Sequence, residues 1–306
     1  MTHPAPSPID HGPGVAEALA AGEAVVALES TIFSELGLPA PHNRDALTRC
    51  FEAVRGGGAL PALTAVLAGS PTIGVPESAV DTICGPARKV AARDLGVAAA
   101  QAWPYGATTV SASVRLAAAA GCRVFATGGI GGVHHDAATT GDISADLDAL
   151  AEHRVITVSA GAKIFLDLPR TLEYLETRSV PVLGWRCDEF PAFHVPSSGI
   201  ALDHRVDTAA EVAEAARRHW ALGGGGLLVV APVPEADGLE LDDMLDLSRR
   251  ADALAVEEGV TGPAVTPAVL GHLAGLSGGR VIAANLALAE NNAAIAARIA
   301  AALATA

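Results

Sequence analysis

A chain of 306 residues and 30.7 kDa is long enough to bury a substantial core. Its net charge of -14 and pI near 5.0 lack the basic clustering that a nucleic-acid surface needs, so no nucleic-acid partner is expected. Half of the residues (50%) are apolar but only 4% are aromatic, which predicts a core of Ala, Val, Leu and Ile.

The opening segment MTHPAPSPIDHGPG is polar and proline-rich, without the basic stretch and apolar run of a secretory signal. β-Prone runs follow at 24–30, 71–76, 123–129, 154–161, 180–185 and 226–234, each bounded by Gly, Pro or polar residues. Helical periods lie between and after them, at 43–57, 110–121, 142–153, 207–223 and 242–259. Strand and helix alternating at this spacing predict a sheet covered by helices on both faces, because near-continuous apolar strands must be buried on both sides. Residues 186–204 form the longest stretch without a clear period; DEFPAFHVPSSG within it reads either as cover for a site or as a surface excursion packed on its own Phe residues. The alanine-rich stretch 283–306 is interrupted by Asn, Glu and Arg and makes a poor membrane span. No repeat or low-complexity linker divides the chain, so one domain over 1–306 is expected. Cys50, Cys84, Cys122 and Cys187 are too widely spaced for redox or zinc pairs and read as small core residues in a reducing, cytoplasmic setting.

Three strand-end segments carry ionisable groups. Glu29 leaves the apolar run VVAL directly, which is costly unless it stands at the carboxyl end of a strand, where open α/β sheets place their ligands. Lys163 follows ITVSAG in the same relative position, and Lys89 lies in GPARKVAARDL. These are the only two lysines, arginine supplying the rest of the 20 basic residues. A lysine can lose its proton and add to a carbonyl, whereas arginine stays charged. Each of the three groups also suits a plain structural ion pair.

The cluster ATGGIGGVHHD (126–136) starts a dinucleotide spacing at Gly129 and Gly131, but His134 stands at the third glycine position and no helix follows at once. The nucleotide reading is rejected; a phosphate or sugar against exposed amides remains open. In TTGDISADLDAL (139–150), Asp142 and Asp146 are expected four apart on one helix face. With His134 upstream they read either as an oxygen-rich site for a divalent cation or as ordinary complements of the helix dipole.

Taken in order, VALESTI around Glu29, LPAPHN (38–43), RKVAARDL (88–95), GATTVSAS (106–113), VFATGGIGGVHH (124–135), DISADL (142–147), AGAKIFLD (160–167), TLEYLE (171–176), VPVLGW, PAF, GGGLLVVAPVPE and NLALAENN resemble the pseudouridine-5'-phosphate glycosidase family, also called indigoidine-synthase-A-like. The resemblance covers nearly the whole chain. It implies a three-layer α/β/α sandwich with a central mixed, largely parallel sheet, assembled as a homotrimer. It implies reversible cleavage of the C–C bond between C1 of ribose 5-phosphate and uracil, Lys163 forming a Schiff base with the open sugar and Glu29 and Lys89 handling protons or binding nearby. Asp146 would hold Mn(2+), with Mg(2+) the alternative, and Thr127, His134, Ser144, Thr108 and Asn292 match polar positions that bind substrate.

Several positions depart from the family pattern. The usual SHGLP is SELGLP here, GGVHRG has His135 and Asp136 in place of Arg and Gly, Ala231 replaces an asparagine, and His194 replaces the tyrosine after FPAF. Retained carbon-bond machinery with altered polar surroundings, and with His135, His194 and Trp185 as candidate flat surfaces, favours C-ribosylation of an aromatic natural-product precursor. The alternatives are a pseudouridine-5'-phosphate glycosidase releasing uracil and ribose 5-phosphate, and an inactive metabolite-binding homologue.

Overall fold

The computed structural model describes residues 9–260 and 265–305; the proline-rich residues 1–8 of the opening segment lie outside the described range. Among the described residues eleven strands form one sheet: β1 (Asp10–His11), β2 (Val25–Leu28), β3 (Leu60–Leu67), β4 (Ser70–Ile73), β5 (Arg88–Val90), β6 (Tyr105–Thr108), β7 (Val124–Ala126), β8 (Ile156–Ser159), β9 (Val182–Trp185), β10 (Arg205–Val206) and β11 (Leu227–Val230). Their order is β1-β4-β3-β2-β7-β8-β11-β9-β10, with β6 on β3 and β5 on β6. Every pairing is parallel except β3–β4 and β3–β6. Strands β2, β7, β8 and β11 are buried along their whole length, as a sheet covered on both faces requires.

One helical layer holds His42–Gly56, Ala209–Ala221 and Arg280–Ala304, which pack on one another; the other holds Val110–Ala120, Ala145–Glu152 and Leu168–Thr177. The fold is a three-layer α/β/α sandwich. Helix Arg280–Ala304 has the length and apolarity of a membrane span, but it lies against β2, β7 and β8 and is a core helix. Its Leu288, Ile295 and Ile299 are almost fully buried, each contributing about 1.5–3 kcal/mol by burial, and this anchors Asn285 and Asn292, two of the three asparagines it carries.

The longest strand, β3, has no counterpart among the expected runs. LPALTAVL contains a proline and small residues, which demote it in a search for β-branched alternation. The proline is harmless: the Leu60 N–H donates to Ala24 O (2.8 Å), so the nitrogen of Pro61 faces away from β2, on a side where β3 has no partner yet. At Thr64 the strand changes partners. Leu60–Leu63 runs beside β2, whereas Thr64–Leu67 pairs with β4 and Ala65–Leu67 with β6. The Thr64 hydroxyl spans this fork, donating to Leu28 O (3.0 Å) and lying 2.8 Å from the hydroxyls of both Thr108 and Ser113.

The helix expected at 142–153 is shorter. It runs Ala145–Glu152, with Ser144 in extended conformation as its N-cap, the Ser144 hydroxyl accepting from the Asp146 N–H at 3.2 Å. Asp142 therefore stands outside the helix, exposed, and does not share a helix face with Asp146. Residues 187–204 contain no helix or strand, in agreement with their lack of period, and they bury Phe190 and Phe193.

Candidate active site

Glu29, Thr127 and the segment Ala160–Lys163 follow the ends of β2, β7 and β8, three adjacent parallel strands. Their side chains meet at the carboxyl edge of the sheet, where the chain leaves hydrogen-bonded strands and groups are free to face a ligand. There a cavity of about 600 Å³ is lined by Glu29, Lys89, His134, Ser144, Asp146 and Lys163 among its polar groups. Ile32, Leu36, Leu38, Phe165, Leu166 and Phe193 form an apolar wall. Lys89 arrives from β5, carried in by its pairing with β6.

The electrostatics favour proton transfer. Burial raises the pKa of Glu29 to about 7, against the Thr127 hydroxyl, which donates to Glu29 Oε1 and supports the charged form. The ammonium groups of Lys163 and Lys89 also favour the carboxylate, while Asp146 opposes it. Burial lowers the pKa of Lys163, opposed by Glu29 and then by Asp146 and reinforced by the charge of Lys89. An amine shifted toward its neutral form thus shares a cavity with a carboxyl group that titrates near neutral pH, which is the pairing a carbonyl-trapping nucleophile and its acid–base partner need. Thr127→Val is expected to move the titration of Glu29 above about 7, measured by carboxyl ¹³C NMR; a downward move would show that the hydroxyl does not support the charged form.

Asp146 is 8% exposed, and its Oδ1 and Oδ2 accept the N–H groups of Ser111 and Gly131, both at 2.9 Å. Each oxygen keeps a further lone pair. Among the described residues no group of three or more His, Cys, Asp or Glu side chains converges on one point. One carboxylate with free lone pairs has the chemistry of a single oxygen ligand to a hydrated hard cation, and it lacks the several His, Cys or carboxylate ligands that a zinc site takes. Asp142 lies beside the site, 3.9 Å from His134 Nε2.

Two glycines shape the floor. A Cβ on Gly131 would lie 2.3 Å from Ser144 Oγ and 3.0 Å from Asp146 Oδ2, displacing both. Gly161 has φ +77°, and a Cβ there would meet Pro191 O at 1.9 Å. Phe193, opposite, adopts φ 62° although it is bulky, and its N–H donates to Ala160 O at 2.9 Å. A backbone of this kind costs about 1–3 kcal/mol and is held here by its surroundings.

Lys163, Glu29, Lys89, His134, Ser144 and Asp146 are all brought to the cavity, with Thr127 directly behind Glu29. Thr108 and Asn292 are not at its surface. Thr108 is fully buried in the hydroxyl cluster with Ser30 and Thr64. Asn292 is also fully buried and donates to Thr127 O (2.8 Å) and Gly128 O (3.2 Å), fixing the turn after β7. Both act on the site through its frame. His135 is exposed, Trp185 is buried, and His194 is buried behind Phe193; none of the three lines the cavity, so none supplies the flat surface expected of them. The apolar surface of the cavity comes from Phe165, Phe193, Ile32, Leu36 and Leu38. Thr31, Thr109 and Asn285 also line the cavity and were missed; Thr109, which directly precedes a helix, was the one with a readable signal.

The family model described as "Indigoidine synthase A like protein" matches residues 14–302. A pseudouridine-5'-phosphate glycosidase from Methylobacterium nodulans is 50% identical, covering 99% of this chain and 89% of its own length. One from Roseiflexus sp. is 48% identical, covering 95% and 94%. The crystal structure of the prealnumycin C-glycosynthase AlnA in complex with ribulose 5-phosphate superposes with a TM-score of 0.89 at 35% identity, covering 99% of this chain and 98% of that one. With the amine, the carboxyl and the cavity in place, these likenesses show that the chain belongs to the pseudouridine-5'-phosphate glycosidase, or indigoidine-synthase-A-like, family and is an enzyme of its C-glycosidase and C-glycosynthase type.

Proposed function

We propose that the enzyme interconverts pseudouridine 5'-phosphate with uracil and ribose 5-phosphate. The observation that carries the chemistry is the meeting of Lys163 and Glu29 in one cavity, each with its proton affinity shifted toward neutrality. A C-glycosidic bond has no leaving oxygen to protonate, so the two-carboxylate route of ordinary glycosidases does not serve. In the direction of bond formation, the neutral Lys163 amine adds to the C1 aldehyde of the open sugar and loses water to give an iminium. C5 of uracil attacks that carbon, and its proton passes to Glu29. The sugar's C4 hydroxyl then displaces the lysine amine and closes the ring. Cleavage runs the same steps backward, with Glu29 returning the proton to C5.

Lys89 and the positive end of helix Val110–Ala120, where Thr109 and Val110 line the cavity, suit the sugar phosphate. Asp146 would hold the hydrated divalent ion, which would supply fixed positive charge to the site. Asp146→Ala is expected to weaken Mn(2+) binding at least about tenfold in folded protein, followed by electron paramagnetic resonance. If affinity is unchanged there but lost in Asp142→Ala, the ion belongs to Asp142.

Uracil is preferred to an aromatic precursor for two reasons. Relatives at 50% and 48% identity carry the glycosidase name, against 35% for the glycosynthase. His135, His194 and Trp185, which favour an aromatic natural-product precursor in the sequence, do not line the cavity. The second reading, synthetic C-ribosylation, keeps the support of the likeness to AlnA and of the apolar wall. Measurement of kcat/KM for pseudouridine 5'-phosphate decides: a value above about 10⁴ M⁻¹s⁻¹, in the ordinary enzymatic range, supports the glycosidase. A value orders of magnitude lower, with an intact sugar adduct, supports the synthetic reading.

A further inference from the structure

His194 is 1% exposed, and among the described residues neither ring nitrogen has a partner at hydrogen-bond distance. Buried polar groups are nearly always paired, so two orphaned atoms on one side chain call for an explanation. The ring stacks behind Phe193, with centroids 4.3 Å apart and planes tilted 50°, and Phe193 is part of the cavity wall. The backbone is clamped, because the Leu239 N–H donates to His194 O at 2.8 Å. Asn285, from the helix Arg280–Ala304, is 7% exposed and lines the same cavity. Burial lowers the His194 pKa to about 4, a side-chain hydrogen-bonding interaction with Asn285 raises it, and the charge of Lys163 lowers it further, which places the ring beside both groups. The ring is therefore neutral at ordinary pH and offers one donor and one acceptor.

We propose that His194 is a positioning residue for the aglycone: a small turn of the Asn285 carboxamide closes a hydrogen bond to the imidazole, and that bond fixes which end of the amide faces the cavity. A carboxamide held one way round matches a –CO–NH– edge, such as that of uracil, with its own C=O and NH₂. A phenol or quinone satisfies only one of the two ends. A site that hydrogen-bonds its substrate discriminates strongly, since an analogue leaves buried groups unpaired. The proposal rests on the functional reading above and extends it to the residue that sets the choice of base.

The test uses the full-length enzyme in the direction of bond formation, with saturating ribose 5-phosphate and varied uracil. His194→Phe is expected to raise the KM for uracil roughly tenfold, about the loss of one hydrogen bond, with little change in kcat. The borohydride-trapped sugar adduct should form at close to the parental rate, because a ring that is neutral at ordinary pH puts no charge beside Lys163. His194→Gln, which keeps a donor and an acceptor, should recover most of the affinity. Asn285→Ala should show the same loss, and the double variant no more than either single one. An unchanged KM in His194→Phe, losses that multiply in the double variant, or adduct formation falling in parallel with uracil affinity would each overturn the proposal. A second arm does not depend on turnover. In ¹⁵N-histidine spectra the His194 ring signals, identified by their loss in His194→Phe, should shift in Asn285→Ala, and unshifted signals overturn the pairing. An enzyme that forms no adduct with ribose 5-phosphate would sink the functional reading and the choice of base with it, leaving the spectra to judge the His194–Asn285 pair alone.

Discussion

Lys163→Ala should lose at least about 10⁴-fold in kcat, because removing a covalent nucleophile removes the pathway and leaves only binding. Lys163→Arg should do no better, since a guanidinium keeps its charge and cannot form the iminium. Borohydride reduction with ribose 5-phosphate should add one reduced sugar to the parental chain, and peptide mass spectrometry should place it on Lys163. The chain has only one other lysine, Lys89 in β5, so the mapping has a single competing answer. An adduct on Lys89 would reverse the roles of the two amines. An active enzyme with no adduct would remove the covalent route altogether.

Glu29→Gln should cut turnover about 10²- to 10⁴-fold, the usual contribution of a general acid–base, and should stabilise the fold in a particular pH window. The carboxyl has a pKa of about 7 when folded against 4.5 as a free side chain. Below 4.5 both states hold the proton and its burial as a charge costs nothing. As the pH rises from 4.5 toward 7 the unfolded chain loses the proton first, so stability declines, and above about 7 the decline is complete. The total is on the order of 3 kcal/mol at most. Glutamine has no such titration. Urea unfolding should therefore show the variant equal to the parent near pH 4.5 and more stable at pH 8.5. Equal stability at both values would show that the buried carboxylate is not strained.

The parts of this site that are legible in the sequence share one property: each chemical group comes within four residues of the end of an apolar strand. Glu29 after VVAL and Lys163 after ITVSAG are visible for that reason. Lys89 is visible as a residue, but its strand is not, because β5 is three residues long and exists through its pairing with β6, a tertiary event. The strand β3 is hidden by Pro61, whose tolerance depends on a neighbour being absent on one side. Asp142 and Asp146 look equivalent by spacing; a serine cap separates them, burying one and leaving the other in water. His194 reads in sequence as a possible aromatic surface, and only the packing puts Phe193 in front of it. Thr108 and Asn292 are picked out by motif, yet they serve the frame around the cavity, a distinction that depends on depth below the surface.

The fork at Thr64 turns the cavity into a pair of callipers. One jaw is β2, ending in Glu29; the other is the β5–β6 arm, carrying Lys89; and both are pinned to β3 on either side of one residue whose hydroxyl touches each. The gap between a proton carrier and a cation is thus set by a group that is fully buried and never meets substrate. Thr64 is therefore one place where a substitution would be felt at both working ends of the cavity, although it is not among the residues that line it.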